Sequence, residues 1–286
     1  MQRHTQVSLA ILVLLSTVLA RADVVTDWNV KANELVVEAK LGTPPAMRML
    51  AIVHTAVYEA ANAVTQRYLD GALKLDAAPG ASLDAAVAAA NRVTLLKLLP
   101  AVQPAIDSAY QAALAKVADG PAKAAGIAVG EQAATAVLAA AAEDRANAAE
   151  AYRPHTTPGV YVPTVVPAIP QWGQRKPWVL ASPAQFRPGP PPALNSELWA
   201  RGDNETKAVG GKNSTQRTAE QTEIARFWDY SAPPIYHAVV RSVASQPGRD
   251  PTRNARLFMA ATQASDDALM APMHAKDHYN SWRPGT

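Results

Sequence analysis

Residues 254–286 read NARLFMAATQASDDALMAPMHAKDHYNSWRPGT. Their apolar positions recur at three- and four-residue spacing, which predicts a long helix from Thr252 toward Trp282. Pro272 removes a backbone donor inside that helix and predicts a kink. Near the end stand Lys276 and Arg283. On a helix, positions seven apart differ by about 20° around the axis and roughly 10 Å along it, so both cations would share a face. Two flexible cations so placed can close on one tetrahedral or trigonal-bipyramidal anion, with the guanidinium as a bidentate fork and the ammonium as a point charge. Pro284 disfavours α geometry at Arg283, so the helix is expected to stop there with the arginine at its corner. Spacing alone favours a plainer explanation, a solvated cationic stripe on a last turn, where the macrodipole favours Lys and Arg.

Working back along the chain, the helical pattern dominates. NVKANELVVEAKL is expected to end at Gly42, with Pro44 and Pro45 as the stop. PAMRMLAIVHTAVYEAANAV puts Met49, Ile52, Val53, Ala56, Val57 and Ala60 on one apolar face. LDAAVAAANRVTLLKLL, AIDSAYQAALAKVA and GIAVGEQAATAVLAAAAEDRA are alanine-rich helices suited to close packing. Between Tyr152 and Asn195 lie eleven of the 23 prolines with Trp172 and Trp178, and no helical period survives. Such aromatic content favours an ordered Pro-rich loop (152–195) wrapping the helices over a linker. Helices then resume at Asn195–Val209, at RTAEQTEIARFWDY capped by Ser214 or Thr215, and at IYHAVVRSVASQ. With no repeat and no convincing strand, the fold class is all-α.

Residues 1–22 carry Arg3 and His4, an apolar run from Val7 to Ala20, and Ala20-Arg21-Ala22, the pattern of a secretory signal peptide too short to span a bilayer comfortably. Cleavage after Ala22 is expected, with residues 23–286 as the mature part and no transmembrane segment in it. Its loss lowers the formal charge from +3 to +1. With no basic run interleaved with aromatics, this argues against nucleic acid as a partner. The chain contains no cysteine, which excludes disulfides, thiolate metal sites and thiol nucleophiles. Export without disulfides fits a secreted or periplasmic bacterial protein.

Lys276-x6-Arg283-Pro284, within AKDHYNSWRPGT, resembles the first signature of the superfamily of vanadium-dependent haloperoxidases and type 2 phosphatidic acid phosphatases. AMRMLAIVHTAVYEAANAV, YRPHTTPGVYVPT and KPWVLASPAQFRPGPPPAL are similar to the N-terminal region of bacterial haloperoxidase-like members, so the likeness covers most of the mature chain. It implies an all-α helical bundle of that type. It also implies that Lys276 and Arg283 bind the oxygens of vanadate, the cofactor, or of a phosphate ester. The implied small-molecule substrates are hydrogen peroxide and a halide, or a phosphate ester.

The family's two later motifs, a P-S-G-H variant and S-R-x5-H, lie C-terminal to the first. They supply the acid/base histidine and the histidine that bonds vanadium or attacks phosphorus. Neither occurs here, which reads as a family architecture truncated at the C-terminus. Three functions stay open: haloperoxidase, phosphoesterase on the same scaffold, or a catalytically inert remnant whose final helix exposes apolar surface. His54 and His237 read as hydrogen-bonded core residues. GGKNST at Gly210 reads as a turn with a helix cap rather than a phosphate loop. Asp266 and Asp267 point about 100° apart and make no metal site, although one of them could order Lys276 or Arg283.

Overall fold

The computed structural model describes residues 23–69, 73–154, 157–229 and 232–283. The predicted signal segment, His4, His155 and Pro284 lie outside them. Asp23 decides where the first helix begins: its carboxylate accepts from the Thr26 amide at 2.9 Å, so α1 runs Val24–Glu38, earlier than the apolar pattern alone suggests. It stops short of Gly42. Lys40 takes the positive φ of 50° that reverses the chain, and Gly42 serves instead as the N-cap of α2 (Thr43–Thr65), with prolines in its first turn.

α2 is the centre of the molecule. Every residue from Met49 to Asn62 is buried, because α3 (Leu83–Leu98), α5 (Pro121–Ala142) and α9 (Pro251–Tyr279) pack around it. The one-sided face read from the sequence is thus only part of its buried surface. α5 is long and apolar enough to cross a membrane by length and composition. Here Val129, Ala133, Ala134 and Val137 are buried against the other helices, and Gly130 brings its backbone onto α3. A Cβ on Gly130 would lie 2.3 Å from the Ala86 carbonyl oxygen. Small residues are what permit this approach.

α4 (Gln103–Leu114) completes the N-terminal half. After α5 the chain runs irregularly to Ser196, with one 3-10 turn at Pro170–Gln174 that packs on α9. α6 (Glu197–Val209) is capped by Ser196 and α7 (Ala219–Trp228) by Thr218 in a reciprocal capping box with Gln221, so the cap lies beyond Ser214 and Thr215. Ser214 instead closes the turn after α6, its hydroxyl donating to the Ala208 carbonyl. α8 (Ala232–Ala244) returns the chain to α1 and α9.

α9 continues through Pro272 as one helix. Its bulky residues Phe258 and Met270 are buried, and its exposed stripe is made of Ala260, Ala264, Ala268 and Pro272. The expected apolar exposure on this helix is therefore not of large side chains. Ile224, Phe227 and Trp228 of α7 and Val239 of α8 are among the bulky residues that are exposed, and α6 and α7 bury none of their residues.

Candidate functional site

The Pro-rich excursion is fastened to α9 by buried charge. Arg175, 1% exposed, donates from Nη1 and Nη2 to the two carboxylate oxygens of Asp266 at 2.9 and 3.0 Å. Its Nη2 and Nε also reach Asp144 Oδ2 at 2.7 and 3.2 Å. Asp144 in turn accepts from Arg48 Nε of α2 at 2.7 Å and from the Ala146 amide at 2.9 Å. Burial alone would raise the Asp144 carboxyl, but these donors outweigh it and hold it below the usual carboxylate range. Burial likewise works against the Arg175 cation, while Asp266 and Asp144 more than offset it and push its pKa up. Asp267 accepts from three successive backbone amides, of Trp178, Val179 and Leu180, at 2.8 to 3.0 Å. The Trp178 indole donates to Asp266 at 2.9 Å. The two aspartates therefore bind the loop, not Lys276 or Arg283, and the 100° between them is what lets one take a guanidinium and the other a backbone turn.

Beyond this clamp the loop follows α9 to its end. Arg187 Nη1 donates to His274 Nε2 at 3.0 Å, and Tyr279 donates its hydroxyl to the Pro188 carbonyl at 2.6 Å. The helix then ends at Tyr279, with Asn280 in the left-handed conformation at φ 42°. This is four residues before the expected stop. Tyr161 N donates to Asn280 O and Trp282 N to Gly159 O, both at 2.8 Å, so residues 280–282 leave the helix as an extended segment paired antiparallel to the loop. The shared helical face predicted for Lys276 and Arg283 does not exist. Lys276 stands exposed on the last helical turns, and Arg283 sits beyond them with its guanidinium 4.1 Å over the Tyr161 ring.

Asp277 and Tyr152 share this corner. Burial raises the Asp277 carboxyl, with His274, Arg283 and Lys276 each pulling it back down. Burial also raises Tyr152, helped by Tyr161 and opposed by Arg283. Asp277, Arg283, Tyr152 and Tyr161 are thus close enough to act on one another electrostatically. Lys276 makes no hydrogen bond or ion pair from its ammonium group among the described residues, so it is available to an anion.

The histidines separate into two groups. Asn29 Oδ1 accepts from Arg241 Nη1 at 2.8 Å, which fixes its amide and leaves its NH₂ to donate to His54 Nε2 at 2.9 Å and His237 Nδ1 at 2.7 Å. Asn33 Nδ2 approaches the same His237 nitrogen at 3.0 Å. Both rings are therefore neutral acceptors inside the α1–α2–α8 core, as the sequence suggested. Burial holds His54 well below its ordinary value, and burial with the nearby Arg241 brings His237 down to about 4. His274 and His278 stack at 6.2 Å, each two residues from Lys276 and so on the opposite side of the helix.

The donor set fits the oxygens of a vanadate or phosphate group by charge. His274 Nε2 is already taken by Arg187, and among the described residues no group of three histidine or carboxylate side chains is arranged for a metal ion. Asp144, Arg175 and Arg48 were not singled out from the sequence. The signal available for them was two acids at 266 and 267 on a helix rich in apolar residues, which demands buried cations or donors elsewhere.

No protein-family model matches the chain, and no curated protein matches it in sequence. Among solved structures, the chain is similar to the crystal structure of the first bacterial vanadium-dependent iodoperoxidase. The TM-score is 0.73 and the identity 21%, covering 91% of this chain and 70% of that one. At this identity the likeness is one of fold, and it is the all-α haloperoxidase fold that residues 276–284 anticipated.

Proposed function

We propose that this chain, sharing the fold of a bacterial vanadium iodoperoxidase, binds a tetrahedral oxyanion at the C-terminal end of α9 and that vanadate is that anion. The observation that supports the reading is that Lys276, unpaired among the described residues, and Arg283, held over Tyr161, both act electrostatically on Asp277. Lys276 supplies a mobile positive charge to the anion's oxygens, and Arg283 supplies paired N–H donors from a fixed plane. Asp277 beside them favours a protonated oxyanion over a fully charged one, because a carboxylate and a highly charged anion repel. In a haloperoxidase, vanadate supplies the centre at which peroxide is activated for halide oxidation. With no group of three metal-ligating side chains arranged among the described residues, no step of that chemistry is assigned to residues of this chain.

Vanadate titration followed by calorimetry tests the proposal. Lys276→Gln and Arg283→Gln should each weaken binding about ten- to hundredfold, the effect of one charge-assisted hydrogen-bond donor. Peroxide and iodide added to the vanadate-loaded protein then ask whether oxidation follows binding. Equal vanadate affinity in the parent and in both variants would sink the assignment.

A further inference from the structure

α8 lies against α1, α2 and α9, yet of residues 233–244 only Pro233, His237 and Ala244 are buried, with Val240 partly so. Tyr236, Val239 and Val243 face outward. The two helices before it, α6 and α7, bury no residue. His237 is therefore the largest buried side chain among the described residues of 197–244, and the attachment of this segment to the core depends on a polar contact.

That contact is specified by proton positions. Arg241 Nη1 donates to Asn29 Oδ1 at 2.8 Å, and Asn33 Nδ2 donates to the Asn29 carbonyl at 2.8 Å, which fixes both amides. Both then present N–H to His237 Nδ1, at 2.7 and 3.0 Å, so a proton added to that nitrogen meets two donors. Neither amide can turn its oxygen to the ring without giving up its own partner. The other groups facing His237 offer no relief. α2 presents the neutral ring of His54 at 5.7 Å between centres, α9 presents Phe258 at 6.3 Å, and α8 itself presents the Arg241 cation, which opposes a second positive charge. His54 Nδ1 and Asn33 Oδ1 are already buried without a hydrogen bond, so the cluster is short of partners before any proton is added.

We propose that α6–α8 form an acid-released arm: when His237 Nδ1 takes up a proton, α8 leaves the surface of α1, α2 and α9 while those helices stay folded. The Ala244 carbonyl, which accepts from Asn254 Nδ2 at 3.0 Å, marks the end about which the arm turns. Release puts the imidazolium in water and uncovers the face that carries His54 and Phe258. The ring titrates at about 4 when docked and at 6.5 when free, so each pH unit between those values favours release about tenfold, and none is gained above 6.5. The device acts near the start of α9 and is independent of the oxyanion corner at Lys276 and Arg283.

Hydrogen exchange followed by mass spectrometry on the full chain, from pH 7 to pH 4 and corrected for the intrinsic exchange rate at each pH, tests the proposal. Protection of α8 amides should fall about tenfold per pH unit below 6.5 and level off near 4, while the amides of α2 and α5 keep theirs. His237→Gln retains a side-chain acceptor that cannot take up a proton, so its α8 protection should not change with pH, once circular dichroism shows the variant folded at pH 7. Loss of α8 and α2 protection together would mean global acid unfolding and overturn the arm. Flat α8 protection in the parent, or the same pH dependence in His237→Gln, overturns it equally. The comparison of α8 with α2 within the parent chain decides the matter even where the variant does not fold.

Discussion

Replacing Arg175 by Met tests whether the Pro-rich loop is held by charge. The guanidinium is 1% exposed and makes four hydrogen bonds to two carboxylates. Asp144 keeps Arg48 and the Ala146 amide after the substitution, but Asp266, fully buried, keeps only the Trp178 indole. The stranded Asp266 carboxylate dominates the loss, and breaking a buried pair from one side costs about 3–5 kcal/mol. For a chain of this size, at about 2–4 °C per kcal/mol, thermal unfolding should fall by roughly 6–20 °C. Urea denaturation measures the loss directly, and limited proteolysis should show new cuts within residues 144–195. Arg175→Met/Asp266→Leu should be more stable than Arg175→Met alone, because it removes the stranded charge. A single variant within about 1 kcal/mol of the parent, or a double variant less stable than the single, would refute the electrostatic account.

Acid should weaken the α1–α2–α8 core. His237 has a folded value of about 4 against 6.5 when free, so the unfolded chain takes up the proton first as pH falls. Stability is full above pH 6.5 and declines by about 1.4 kcal/mol per pH unit toward pH 4, or about 3 kcal/mol in all. His54 acts in the same direction, so His237→Gln should reduce the slope of melting temperature against pH without abolishing it. An unchanged slope would remove His237 from the explanation. Gly130→Ala should cost about 1–3 kcal/mol by driving a Cβ toward the Ala86 carbonyl, whereas Gly202→Ala in exposed α6, with nothing within 4 Å, should stabilise by about 0.5–1 kcal/mol. Paired urea curves decide both, and equal effects would contradict the packing. Tyr161→Leu removes the ring beneath Arg283 and should weaken vanadate binding about two- to fivefold with little change in melting temperature. Loss as large as in Arg283→Gln would mean that the tyrosine touches the anion itself.

The helices were legible because their signals are local. Ser196 before Glu197, prolines opening α2 and α9, and alanine at close contacts each act within a few residues. The errors arise where a distant segment decides. Gly42 looked like a helix stop because prolines followed it, but Lys40 reverses the chain first and the same prolines open the next helix. Lys276 and Arg283 were legible as a pair of cations, since charge is a property of the residues, while their geometry was not. Asn280 ends α9 because residues 159–161 offer its neighbours backbone partners, and the contact joins positions more than a hundred residues apart. No periodicity encodes that. The aspartates at 266 and 267 posed the same difficulty, since their burial follows from Arg175 and the amides of 178–180, which sequence spacing does not connect to them.

These long-range contacts make the loop part of the candidate site rather than its cover. The loop meets α9 at Asp266 and Asp267, again at His274 and Tyr279 through Arg187 and Pro188, and finally at residues 280–282 through residues 159–161. The first contact is buried and ionic, and the later ones lie nearer the surface. Fixing the loop at the clamp reduces the freedom of the loop segments that lie farther along the same helix, including the one that carries Tyr161, on which Arg283 rests. The lysine of the pair is therefore oriented by helix α9 itself, and the arginine by a loop that the helix holds. The helix that carries the lysine ends at Tyr279, so the position of the arginine beyond it depends on the loop rather than on helical spacing.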